Sequence, residues 1–291
     1  MTISAALVKE LRKRTGAGMM ECKKALTESR GDLDLAIESM RKAGLAKADN
    51  KAGRIAAEGR IALQVAGDVA AMVEVNCETD FVANGEDFAD FSASAVRAVL
   101  ANMPVDAQAL GDLPLAGGKT VDRVRRELVA KLGENINVRR FARFKTSDGL
   151  LGAYAHGARI GVLVEMQGGT PALAKDIAMQ VAACNPLCVK PAQVSAEVLD
   201  KEREIFRAQS AESGKPDAII AKMVEGRLKK FLAEVTLLGQ PFVKDADVTV
   251  EQLLARSAAQ VLRFARFEVG EGIEKKQEDF ATEVMAQARR A

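Results

Sequence analysis

Three short stretches of this chain hold residue types from which a reactive or binding site could be built. The first, Gly117-Gly118-Lys119-Thr120, is similar to the end of a phosphate-binding loop. That loop needs a glycine five places before its second glycine, but Leu113 stands there and Gly111 comes two residues too early. It also needs a strand leading in, so that backbone N–H groups can wrap the phosphates, whereas Leu110 to Leu115 reads as a Pro-containing loop. The second is His156, the only histidine, in His-Gly-Ala-Arg with no Ser or Cys nucleophile beside it. A turn residue with hydrogen-bonding or contact duties is the better reading. The third is Thr79-Asp80-Phe81-Val82, an acid and a large aromatic between a strand ending at Cys77 and a helix that Asn84 can cap. Side chains on such connections are commonly presented to partners, and a Phe81 folded back into the core is an equal alternative.

Metal and redox chemistry find little support. Cys184 and Cys188 are four apart, but Cys22 and Cys77 add no matching pair and only His156 could supply nitrogen, so buried thiols are expected rather than a metal site. No GxSxG elbow and no dinucleotide fingerprint is present. Neither a catalytic residue nor a cofactor is therefore expected; the residues point to a binding protein. Forty-two Lys plus Arg against 40 Asp plus Glu leave a net charge of +2, and aromatics make up 4%. Direct nucleic-acid binding usually shows a basic surplus and stacking aromatics, so it is not expected either. No stretch approaches the roughly 20 apolar residues of a membrane span. The N-terminus carries charges where a signal peptide needs its apolar region. A reducing cytoplasm is the expected location.

The elements that must position these residues can be followed along the chain. Residues 1–54 read as a three-helix module with a linker. Ser4 caps the first helix, Thr15-Gly16-Ala17-Gly18 ends it, and Met19, Cys22 and Leu26 recur at helical spacing. Gly31 suits a C-terminal cap, and Leu33, Ile37 and Met40 form the third stripe. Lys42 to Arg54 has small and charged residues and no large apolar face, which reads as a linker, in part helical. The period then changes from helical to two: Ile61, Leu63 and Val65 alternate, Gly67-Asp68 turns, and Val69 to Val75 alternate again, a hairpin. Stripes at Phe88–Val99 and Val121–Leu132 give helices, and a strand from Ile136 to Phe144 closes a core unit of residues 55–145.

A similar order recurs over 146–269: strands at Leu150–Tyr154 and Ile160–Met166, a helix from Thr170-Pro171 to Asn185-Pro186, and a strand at Val261–Val269. Both closing strands contain Arg-Phe-Ala-Arg-Phe, at 140–144 and 263–267, which together with the shared order indicates an internal duplication. The second unit carries an insertion, 195–238, of two long helices joined by Ser213-Gly214-Lys215-Pro216, an antiparallel hairpin. Residues 270–291 end the chain with a short helix striped by Phe280, Val284 and Ala288. The expected class is α+β, with antiparallel sheets.

Five blocks carry a family resemblance: LVKELRKRTGAGMMECKKAL (7–26), VNCETDFV (75–82), HGARIGVLV (156–164), KMVEGRLKKF (222–231) and RFEVGEGIE (266–274). In order and spacing they resemble the elongation factor Ts family. The resemblance implies an N-terminal module similar to ubiquitin-associated domains, a duplicated α+β core, an inserted helical hairpin and a C-terminal helical module. It implies a guanine-nucleotide exchange factor for elongation factor Tu. Thr79, Asp80, Phe81 and Val82 would disturb the partner's magnesium site. Met19, Met20 and Lys23 would contact its nucleotide-binding domain, as would the segments around Leu132-Gly133 and His156. Further partner contacts or self-association, as a homodimer or 2:2 complex through the hairpin, would fall to the hairpin and the C-terminal module. Two other classes stay open on the residues alone: a ubiquitin-associated-like adaptor using residues 1–54, and a small-molecule enzyme using Asp80 and His156.

Overall fold

The computed structural model describes residues 3–211 and 215–274. Three helices come first: α1 (Ala5–Thr15), α2 (Met19–Glu28) and α3 (Leu33–Lys51). The Ser4 side chain accepts from the Leu7 amide to start α1, and Gly16, in the left-handed region at φ 70°, closes it. Val8, Leu11, Cys22, Ala25, Leu26 and Ala36 fill the space between the three. The stretch expected as a linker is different: α3 runs on to Lys51, so all but the last residues of 42–54 are helical. Its small residues are the reason. A Cβ on Gly44 would lie 3.0 Å from the Ala130 Cβ, and Ala48 is buried in the core cluster of the first core unit. A face of Gly and Ala gives no amphipathic signal, yet lets two helices approach closely.

Strands β1 (Glu58–Ala66) and β2 (Val69–Cys77) form the expected hairpin. Then come α4 (Asp80–Ala83), α5 (Glu86–Asn102), α6 (Ala107–Asp112), α7 (Val121–Leu132) and β3 (Asn137–Lys145), which pairs antiparallel with β2. The second half runs β4 (Leu150–His156), β5 (Ile160–Gln167) and α8 (Pro171–Cys184), then the hairpin helices α9 (Ala196–Ala211) and α10 (Asp217–Val235). It closes with β6 (Pro241–Phe242), β7 (Asp245–Thr249), α11 (Val250–Arg256) and β8 (Gln260–Glu268). Helix α6, the β6–β7 pair and α11 are too short to show a period and are not legible in the sequence. The hairpin helices meet through Phe206 and Phe231, edge to face at 6.4 Å. Ser213 and Gly214 of its turn, and the Phe280, Val284 and Ala288 stripe, lie outside the described residues.

The class is α+β, as expected. Two three-stranded antiparallel sheets, β1-β2-β3 and β4-β5-β8, have the same order with the second strand central. Successive side chains of the central strands β2 and β5 point to opposite faces, and nearly all of them are buried, so each sheet is covered on both sides. Ile61, Met72, Phe144 and Leu163 share one cluster between the sheets. Val73, Val75 and Val138 face the cluster with α5 and α7, while Val162, Val164 and Val261 face the one with α8 and α11.

The repeated pentapeptide has a structural reason. Arg140 lies opposite Glu74 and Arg263 opposite Glu165, each with a register shift one step further along the central strand. Each Arg Nε donates to its own glutamate at 2.6 Å. Each guanidinium also stacks across the two sheets, Arg140 over Phe267 and Arg263 over Phe144, both at 4.3 Å. The first Arg of one copy thus covers the last Phe of the other, a reciprocal pair of cation–π contacts.

Because α3 contributes to the first core, its removal should be felt there. Deleting residues 1–54 is expected to lower the stability of the remainder by about 2–5 kcal/mol, the range for emptying a buried apolar site. Deleting only the residues before α3 should cost the core less. Urea unfolding of the two truncated proteins checks this, and equal stabilities would mean that α3 rests on the core without supporting it.

Candidate functional site

The stretch Thr79–Val82 forms a one-turn helix at the end of β2. Thr79, extended at φ −124°, accepts from the Val82 amide and starts α4; Asn84 ends it, its amide bonding to the Asp80 carbonyl. Asn84 therefore closes this helix rather than capping α5, whose N-cap is Gly85. In a single turn successive side chains point in different directions. Ala83 is buried and Val82 packs against the first core, while Asp80 is exposed and Phe81 stands out with 86% of its surface in solvent.

A carboxylate from another part of the chain holds this corner. Glu134, just past the left-handed Gly133 that ends α7, accepts from the Glu78 amide at 3.1 Å and the Thr79 amide at 3.0 Å through Oε2. Its Oε1 accepts from the Thr79 hydroxyl at 2.6 Å. The exchange is mutual, for Glu78 Oε1 accepts from the Asn135 amide at 2.6 Å. Asn135 Nδ2 in turn donates to the carbonyls of Arg54 at 2.7 Å and Ala52 at 3.4 Å, and Lys51 Nζ donates to the Gly133 carbonyl. The segment after α3, the Phe81 corner and the Leu132–Gly133 segment are thereby tied together. Leu132 itself packs against the first core, so Gly133 is the exposed member of that pair.

Separate contacts connect the segments of the other expected contact residues to the first core unit. Met19 and Met20 are 55% and 75% exposed and Lys23 is exposed, because Cys22, Ala25 and Leu26 take the inner face of α2. The loop before α2 abuts the end of α7: a Cβ on Gly16 would lie 3.1 Å from Lys131 Cε. Lys131 Nζ in turn reaches Asp87 at 2.7 Å, in the first turn of α5. His156 is exposed at the β4–β5 turn, with Nδ1 3.2 Å from the Tyr154 hydroxyl. Arg159 of that turn pairs with Glu58 at 2.8 Å, and Glu58 lies opposite Cys77 at the end of β2 that leads to Phe81. Among the described residues no hydrogen bond joins His156 to Asp80, the two candidates of the enzyme alternative. Glu78, Glu134 and Asn135 escaped sequence reasoning because their partners are 55 to 57 positions away. No spacing rule reaches across that distance.

Chemistry is limited by the surroundings. Burial, with Glu134 and then Glu58 adding negative charge, pushes the Cys77 thiol up to about 12, far from the thiolate a nucleophile needs. Gly117 and Gly118 sit in a turn closed by the Leu115 amide on the Lys119 carbonyl at 2.8 Å. Helix α6, not a strand, precedes that turn, and Lys119 Nζ is engaged by Glu127 at 2.5 Å. Among the described residues no helix is long and apolar enough to cross a membrane.

The second half supplies an internal comparison for the Phe81 corner. Glu74 and Glu165 occupy equivalent places opposite the repeated Arg, and five residues after each comes a threonine, Thr79 or Thr170. Both threonines are helix N-caps, at φ −124° and −128°. The next four residues show the same burial: Asp80 and Pro171 exposed, Phe81 and Ala172 exposed, Val82 and Leu173 half-buried, Ala83 and Ala174 buried. One corner carries a ring where the other carries a methyl group.

A family model described as elongation factor TS matches residues 78–271, from this corner to the segment after β8. The chain belongs to the elongation factor Ts family. An elongation factor Ts from Methylococcus capsulatus is 60% identical over 291 residues, covering 99% of each chain. One from Thioalkalivibrio sulfidiphilus is 60% identical over the full length of both, and one from Legionella pneumophila is 56% identical over 99% of each. These relatives also span the three N-terminal helices that precede the family match. Membership of the elongation factor Ts family carries the broad role, translation elongation.

Proposed function

We propose that the chain speeds GDP release from elongation factor Tu by disturbing the magnesium and phosphate contacts of that GTPase. The observation that carries this reading is Phe81, 86% exposed on a capped single turn whose entry is clamped by Glu134. A large apolar ring in water without a packing reason is the surface feature expected of a binding anchor. A P-loop GTPase holds GDP through backbone N–H groups, a lysine, and Mg²⁺ bridging to phosphate oxygens. A ring inserted beside that site repacks its walls, and Asp80 next to it redirects groups that orient the magnesium shell. Met19, Met20, Lys23, the Gly133 segment and His156 serve as the surrounding contacts, with residues 1–54 as one contact module and the two core halves as its support. The chain makes no bond. It binds best to the nucleotide-free partner, so by linkage GDP weakens its binding by the same factor.

Release of a fluorescent GDP analogue, followed by stopped flow, tests the reading. Acceleration that saturates with added protein is expected, as is displacement of the protein from its complex by excess GDP. Unchanged release at saturating protein would end the assignment.

A further inference from the structure

Helix α4 cannot orient Phe81 by itself. It has four residues, and a lone turn gains too few hydrogen bonds to offset the entropy of fixing it. The direction in which the ring leaves the surface must be set from outside the turn. The Glu134 carboxylate takes both backbone amides that lead into the turn, together with the capping hydroxyl. Bonds to an ionised acceptor are shorter and stronger than neutral ones.

The second half shows that such a corner closes without a carboxylate. Six residues before Arg140 stands Glu134, and six before Arg263 stands Ser257, followed by Ala258 where the first half has Asn135. There the backbones come together directly: a Cβ on Gly168 would lie 2.2 Å from the Ala258 carbonyl oxygen. The Thr170 hydroxyl accepts from the Leu173 amide at 3.2 Å, and Ala172 occupies the place of the ring. Carboxylate and ring thus occur together in one half, and neither occurs in the other.

From this we infer that Glu134 is a positioning residue for nucleotide exchange: it aims Phe81 and ties that aim to the N-terminal helices through Asn135 and Lys51. The inference rests on Phe81 being the inserted ring of the proposed function. Glu134 also lies in the loop whose carbonyl receives Lys51 and whose next residue holds the Ala52 and Arg54 carbonyls. One short loop therefore joins the end of α3 to the entry of the Phe81 turn.

The test compares Glu134→Ala and the milder Glu134→Gln, alone and combined with Phe81→Ala, in the full-length protein. Amide hydrogen exchange of the free protein should show protection falling over residues 78–84 in Glu134→Ala, with the sheets unchanged. Stimulated GDP release should fall about tenfold, no more than removal of the aromatic anchor itself would cost, with Glu134→Gln in between. Adding Glu134→Ala to Phe81→Ala should cost nothing more, since the ring it aims is gone. Wild-type release by Glu134→Ala, or losses that multiply in the double variant, would overturn the positioning role. Wild-type release by Phe81→Ala would instead overturn the reading of Phe81 on which the inference rests, so the two failures are told apart.

Discussion

Phe81→Ala is expected to cut stimulated GDP release by about tenfold or more, the scale of losing a central aromatic anchor, while leaving the fold's stability nearly untouched. Truncating a buried Phe costs about 3–5 kcal/mol, whereas an exposed one away from other features costs well under about 1 kcal/mol. With 86% of the side chain in solvent, the second figure applies. The chain supports this itself, since Ala172 fills the matching position of a corner with the same cap and the same burial pattern. Urea unfolding read beside the release rate decides the matter. A large loss of stability with release per folded molecule unchanged would return Phe81 to a structural role and remove the main mechanistic claim.

Glu74→Gln should have the largest effect on stability. Glu74 is fully buried in β2 and accepts from Arg139 at 3.1 Å, Arg140 at 2.6 Å, Asn76 at 3.0 Å and the Gly270 amide at 2.9 Å. Arg140 extends the network to the Glu268 carbonyl and the Glu271 carboxylate, so one buried charge joins the two halves. Removing it leaves two guanidinium groups short of a partner, and breaking such a buried pair costs about 3–5 kcal/mol. Glu165→Gln should cost less, because Arg263 is half exposed and is the single cation paired with it among the described residues.

The same residue sets a pH dependence. Burial pushes the Glu74 carboxyl up, but the Gly270 amide, Arg140 and Asn76 together outweigh it and hold it below the ordinary glutamate value. A carboxyl lowered on folding stabilises fully above its unfolded value and loses that contribution as pH falls through the folded one. The stability difference between wild type and Glu74→Gln, measured by urea unfolding, should therefore be constant near neutrality and shrink on acidification below the usual carboxylate range. A difference that grows in acid would mean that the network does not favour the ionised form.

Much of this protein was legible because its signals are local. Caps at Ser4 and Thr170, the Gly67-Asp68 turn, the switch from helical to period-2 spacing and the repeated Arg-Phe-Ala-Arg-Phe all lie within a few residues of what they specify. The TGAGMM and TDFV blocks pointed to the family for the same reason, being unusual runs of adjacent residues. Three features depended on the tertiary structure. The Lys42–Lys51 stretch is helical because Gly44 and Ala48 meet α7 and the first core, a fit of small surfaces that hydropathy does not register. Phe81 is outside because Val82 and Ala83 take the inward directions of a one-turn helix, and a single turn has no period to read. Glu134 reaches Thr79, and the repeated arginines reach each other's rings, only when distant strands come together. Sequence determined the longer elements, their repeated order and the family they belong to. Long-range packing decided which way the ring points and what holds it there.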